Sequence, residues 1–274
     1  MNIDSEEHTI MTVTRRDLLG IVATTGIASV ALDGFGAAEA LPTNAPLPSL
    51  IESGGGHLKT LIGALARAPR RRDFKEVPMI LTSPAQWDHE ALTLLTHYRG
   101  GPKQVWDNTA IDSPWLNLMR NSLNAQIWAF KHPDFLVVSA THGTAHLALY
   151  DQHLWDKYGL AKLTGGKFAR NSLLDVPAAA HGDAADFENP AGVFSPKDNG
   201  IPTLQARGVV FLACHNAIFE LTSRLHATGV NPDKLSLERM GAEFTNHLIP
   251  GAVLTPGIVG TLPELGAAGF QYAK

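Results

Sequence analysis

Two unbroken apolar runs, Phe135-Leu136-Val137-Val138 and Val209-Val210-Phe211-Leu212, constrain the fold of this 274-residue chain most. Neither alternates with polar residues, so a strand made from either must be covered on both faces. Helical segments separate and follow them. Two such strands joined through a helix run parallel, because a parallel return needs a long crossover. The pattern predicts an α/β fold: a mostly parallel sheet of about five strands flanked by helices.

Other segments fit that frame. Gln104-Val105-Trp106, after Gly100-Gly101-Pro102, reads as a strand. Ser113-Pro114 opens a helix, with Ser113 as cap and Pro114 in the first turn. Leu116, Met119, Leu123, Ile127 and Phe130 fall on one face of it, and Pro133-Asp134 ends it. Leu58, Leu61, Ile62 and Leu65 mark a short helix, with Arg70-Arg71-Arg72 as its solvated end. Further helices are expected over 216–226, ended by Gly229, and over 234–244 and 258–268. Strands are expected at Val253-Leu254 and Phe270-Gln271-Tyr272, and Met79-Ile80-Leu81 adds an edge strand. Residues 160–205 break the rhythm with Gly165-Gly166, Pro177, Pro190, Pro196 and Pro202. A segment this long and irregular reads as an insertion over one face of the sheet, a lid or an oligomer contact.

The first forty residues read as an address. Thr14-Arg15-Arg16-Asp17-Leu18-Leu19 is a twin-arginine pattern, a modestly apolar stretch follows, and Ala38-Glu39-Ala40 is an A-x-A cleavage signature. Residues 1–40 are therefore expected to be a signal peptide, with a periplasmic mature protein exported through the twin-arginine pathway. Acidic Asp4, Glu6 and Glu7 are unusual ahead of such a signal, and Met11 offers an alternative start to Met1. Proline-rich residues 41–56, closing on Gly54-Gly55-Gly56, read as a linker, leaving 57–274 as a single domain.

Composition narrows the function. With 45% apolar and 18% charged residues the chain has material for a packed core. A net charge of −4 excludes a basic nucleic-acid binder. No apolar run reaches the roughly 18 residues of a membrane span. One cysteine excludes an internal disulfide and a cysteine-only zinc site.

Cys214 is the first candidate for chemistry. It stands where a buried strand gives way to a helix, and helix-start N–H groups and dipole favour a thiolate. His215 beside it is a candidate proton acceptor. His142 ends the other buried strand, so parallel strands would bring it to the same rim, giving a Cys/His constellation of Cys214, His142 and His215. His142 and His146 in H-G-T-A-H would share a face of a helix and are candidate metal ligands, with His153 seven residues on. The glutamate of a zinc-protease H-E-x-x-H is absent. Each candidate has a plain alternative as core or turn packing. Trp87, Trp106, Trp115, Trp128 and Trp155 read as core or rim packing. Phe194 and Pro196 are candidates to cover a pocket. No nucleotide fingerprint, G-x-S-x-G elbow or c-type haem motif occurs, and no cofactor is specified.

Several of these segments together resemble the DsrE/DsrF-like family. Leu248-Ile249-Pro250-Gly251 before Val253-Leu254, Pro256-Gly257 opening a helix, and Gly269-Phe270 opening the last strand resemble its tail. Val138-Ser139-Ala140-Thr141-His142-Gly143 is similar to its strand ending in a His-Gly turn, and 208–216 to its strand ending in a cysteine. His146 to Tyr158, with Asp151, Trp155 and Lys157-Tyr158, resembles an exported twin-arginine-signal subgroup of unknown role. The resemblance implies a DsrE-like sheet, a homo-oligomer or a related subunit as partner, and sulfur or thiol handling through Cys214 with a small thiol or sulfur ligand. The export address and the 160–205 insertion depart from the cytoplasmic, persulfide-relaying members. A non-catalytic periplasmic binding protein for a small ligand or metal ion, or an oligomeric accessory protein, stays open beside it.

Replacing Arg15 and Arg16 with lysine is expected to trap the precursor in the cytoplasm. Fractionation and immunoblotting check this, and undiminished delivery to the periplasm would refute the pathway.

Overall fold

In a computed structural model the described residues are 47–176 and 185–274. The signal peptide, the first part of the expected linker and Pro177 lie outside them. Five parallel strands form one sheet: β1 (Lys103–Asn108), β2 (Leu136–Thr141), β3 (Val210–Cys214), β4 (Val253–Thr255) and β5 (Gln271–Ala273), in the order β4-β3-β2-β1-β5. The sheet is thus α/β and wholly parallel.

Alternation along the strands sorts side chains into two cores. Val105, Leu136, Val138, Ala140, Val210, Leu212, Cys214 and Val253 face α1 (Gly56–Arg67), α2 (His89–Thr96) and α8 (Ile258–Ala267). Val137, Phe211, Ala213 and Leu254 face the opposite way. They meet α3 (Trp115–Asn124), α4 (Gln152–Tyr158), α5 (Ile201–Ala206), α6 (His215–Ala227) and α7 (Leu237–Asn246). Val138, Leu212 and Phe211 have no exposed surface, as unbroken apolar runs require. Each such side chain contributes about 1.5–3 kcal/mol by leaving water. The exit from β3 runs into α6 on the second face, whereas the exit from β4 runs into α8 on the first. The crevice between β3 and β4 is therefore the point where crossovers change sides, the position at which open α/β sheets hold ligands.

Several local expectations need correction. Met79-Ile80-Leu81 is not a strand: β4 and β5 are the sheet edges, and Met79 and Ile80 are 57% and 65% exposed on a loop. Ser113 does not cap α3; its hydroxyl donates to the Ala110 carbonyl at 2.9 Å. Phe130 leaves the helix face because α3 passes into a π turn over Ala125–Ala129, whose wider pitch rotates the succeeding residues outward. The end of the linker is packed: Leu50 and Ile51 are buried, and the Leu50 N–H donates to the Ala206 carbonyl at 2.8 Å.

Arg70-Arg71-Arg72 is no solvated run either. Arg72 Nη2 lies 3.0 Å from Asp88 Oδ2 and donates to the Ala252 carbonyl at 3.0 Å, and Arg70 Nε reaches the same carbonyl at 3.2 Å. Asp88, 2% exposed, also accepts the Leu254 N–H at 2.7 Å and the Arg71 N–H at 3.1 Å. One buried carboxylate thus ties the arginine segment and the start of α2 to the edge strand β4.

In the 160–205 insertion the described parts are short 3-10 turns, Leu160–Thr164 and Ser172–Leu174, and then α5. Val193 and Phe194 are buried against Leu50. Arg120 donates to the Phe194 carbonyl at 3.1 Å, so Phe194 serves as packing here.

Asp88→Ala takes the carboxylate from Arg72 and leaves the Leu254 N–H of the edge strand and the Arg71 N–H without their acceptor. It is expected to lower unfolding free energy by about 3 kcal/mol or more in urea titration; a loss within the range of an exposed pair would show that Asp88 is dispensable.

Candidate functional site

The site is built by register. Thr141 pairs with Ala213, so the next residues, His142 and Cys214, stand side by side at the carboxyl ends of β2 and β3. Asp107 on β1 pairs with Ala140, and Cys214 pairs with Thr255 on β4. Ala140, Val105 and Cys214 all belong to the first face. Two-residue alternation therefore puts Asp107, His142 and Cys214 on that face, with His142 and Cys214 abreast and Asp107 two residues back, beside Ala140. His142 keeps extended backbone (φ −150°), which continues the β2 alternation. Gly143 then turns the chain at φ +56°, and a Cβ there would meet the Thr109 carbonyl oxygen at 2.5 Å. Only glycine lets the turn press against the exit of β1.

Each of the three has defined partners. His142 Nε2–H donates to Asp107 Oδ1 at 2.7 Å. Neutral His142 then carries its lone pair on Nδ1, which has no hydrogen bond among the described residues. The other carboxylate oxygen, Asp107 Oδ2, accepts from the Tyr272 hydroxyl at 2.6 Å, with Lys274 Nζ 3.7 Å away. Burial opposes the Asp107 charge, but hydrogen bonds from Tyr272 and His142 hold the carboxyl below its ordinary value. Side-chain exposure of 21% at His142 and 10% at Asp107 leaves the pair reachable from solvent. A cavity of about 200 Å³ beside it is lined by Trp106, Asp107, Ser113, Trp115 and Lys274, among others.

Cys214 sits where two helices begin. Its Sγ accepts the Ala217 N–H of α6 at 3.4 Å and the Ile258 N–H of α8 at 3.3 Å. These donors favour a thiolate. The residue is only 4% exposed, and burial outweighs them, pushing the thiol pKa up, with Glu220 adding to the rise. The resting group is therefore a protonated thiol, contrary to the lowered pKa that a helix start alone predicts.

The histidines separate. His215, fully buried, turns from the sulfur: its Nε2–H donates to the Pro78 carbonyl at 2.8 Å and stands 3.2 Å from that of Met79, so it fastens the 78–79 loop to α6. His146 does not join His142 on a helical face, because Gly143–Leu149 is a 3-10 helix and His142 lies before it in extended conformation. His146 Nε2 instead accepts the Cys214 N–H at 3.0 Å. His153 stacks on His247. Among the described residues no group of three or more His, Cys, Asp or Glu is arranged to hold a metal ion.

Sequence reasoning missed three residues. Asp107 is the orienting carboxylate, and its one signal was an acid directly after Val105-Trp106 near the end of a short strand. Tyr272 gave no local signal, since its role depends on where β5 pairs. Tyr150 is fully buried and its hydroxyl has no partner among the described residues; the ring lies 5.2 Å from that of His146. Trp115 and Trp155 are core residues, and Trp155 donates to the Leu147 carbonyl at 2.8 Å.

No protein-family model, curated protein or solved structure matches this chain.

His146 is held neutral by burial, with a pKa of about 3 against 6.5 for a free imidazole. Below pH 6.5 the unfolded chain takes up a proton there that the folded one refuses, so stability falls as pH falls. The slope from this residue is about 1.4 kcal/mol per pH unit. His146→Gln keeps an acceptor for the Cys214 N–H without titrating. It is expected to flatten the stability profile between pH 6.5 and 5 in denaturant titrations; an unchanged slope would refute a neutral buried His146.

Proposed function

We propose that this chain is an exported DsrE-like protein that handles sulfane sulfur or thiols at Cys214, with His142 as proton acceptor and Asp107 as its orienting partner. The observation that carries the reading is the register that aligns Asp107, His142 and Cys214 on one sheet face, with Nδ1 of His142 left free. A thiol whose pKa is raised by burial needs a base to become a nucleophile, and a carboxylate-held histidine on the neighbouring strand supplies one. The Ala217 and Ile258 N–H groups stabilise the anion once it forms.

With an organic persulfide, R–S–SH, as donor, His142 accepts the Cys214 proton. The thiolate sulfur attacks the outer sulfur, the S–S bond of the donor breaks, and R–S⁻ departs and takes the proton from His142. The products are Cys214–S–SH and R–SH, with no external oxidant or reductant. Low exposure protects the thiol from the oxidation that a lone cysteine meets outside the cytoplasm. Twin-arginine export belongs to this proposal, as does assembly with a second copy or a related subunit. Two of the segments that carry the DsrE-like resemblance, the strand ending at His142-Gly143 and the strand ending in Cys214, supply two of the three residues of the group.

The test is the rate of Cys214 alkylation by iodoacetamide in the folded protein, with intact-mass detection after exposure to an organic persulfide. Wild type is expected to gain one sulfur atom at Cys214. His142→Asn is expected to slow alkylation at neutral pH by roughly tenfold or more. A thiol that reacts only after unfolding would refute the proposal and leave the accessory-protein reading.

A further inference from the structure

The group on the first face has a fourth member, supplied by β5. Tyr272 pairs with Val105 across β5 and β1, so it shares the first face with Asp107, two residues further along β1. Its hydroxyl donates to Asp107 Oδ2 at 2.6 Å while His142 occupies Oδ1 at 2.7 Å. A carboxylate can rotate about its Cβ–Cγ bond and offer His142 either oxygen, at varying angles. A donor on the second oxygen stops that rotation and fixes the plane in which the imidazole is held. Tyr272 does this from the surface: the residue is 57% exposed, so packing does not account for its position.

We infer that Tyr272 is a positioning residue for the Asp107–His142 pair, so that the C-terminal strand completes the site. The inference rests on the thiol reading above. The groups facing Asp107 are His142 from β2 and Tyr272 and Lys274 from β5 and the residue after it. Lys274, at 3.7 Å with its side chain 65% exposed, is too far for a directed hydrogen bond. Tyr272 alone among them fixes the second oxygen.

Tyr272→Phe removes one oxygen atom at an exposed position and keeps the ring. Three measurements on the full mature chain decide the matter: thermal midpoint, titration of the Asp107 carboxyl by carbon-13 NMR, and Cys214 alkylation rate against pH. The expected result is an unchanged thermal midpoint, an Asp107 midpoint raised by about one pH unit, and an acid limb of the alkylation profile that follows it. A merely structural tyrosine would move the thermal midpoint and leave both pH curves in place. Unchanged pH curves in Tyr272→Phe, beside a profile altered by Asp107→Asn, would overturn the role of Tyr272 and leave the thiol reading standing. An Asp107→Asn profile identical to wild type would overturn both.

Discussion

The architecture depends on the parallel register of the sheet. Five strands run the same way, so all their carboxyl ends meet at one rim, and the residue that follows each apolar run becomes a neighbour of the others. A slip of one residue between β2 and β3 would send His142 and Cys214 to opposite faces, because side chains alternate with a period of two. The apolar runs prevent it. Any shift would also exchange residues between two differently shaped cores, one built on α1, α2 and α8 and the other on α3, α6 and α7. The energy that holds the register is hydrophobic, and the precision it gives serves polar groups.

At Cys214 two opposing effects meet in one atom. N–H groups from two helix starts converge on the sulfur and favour its anion, while the surrounding core disfavours any charge. Burial prevails at rest. A thiol in that balance differs from the solvent-facing, low-pKa cysteine of many thiol enzymes. Burial keeps it protonated, while the two N–H donors already point at the sulfur. The His146 contact has a similar character, since a neutral imidazole closes the amide at the end of β3 without bringing a charge into the core.

Much of this was legible in the sequence, for identifiable reasons. Phe135–Val138 and Val209–Leu212 specified two-sided burial and hence a parallel sheet, and that sheet brought His142 and Cys214 to one rim. Long-range pairings were not legible. Asp88 looks like an ordinary acid before a helix, and only the fold turns it toward Arg72 and Leu254. His215 is adjacent to Cys214 in sequence, yet a helix start sends consecutive side chains in different directions, and its ring found two loop carbonyls instead. H-G-T-A-H would have joined His142 to His146 in an α-helix, but the extended His142 and the tighter 3-10 turn after it separated them. Asp107 and Tyr272 lie 165 residues apart, beyond the reach of any local pattern.

That separation bears on how the domain folds. β1 opens the sheet in sequence, whereas its partner β5 follows β4 and α8, and the Asp107–Tyr272 bond spans 165 residues. Closing so long a loop is entropically costly, and the cost is offset only once the strands and helices between have packed. The β1–β5 edge is therefore a contact of high sequence separation that profits from the rest of the sheet being in place. An opening of that edge alone would leave Cys214 and His142 where they are and free the second oxygen of Asp107.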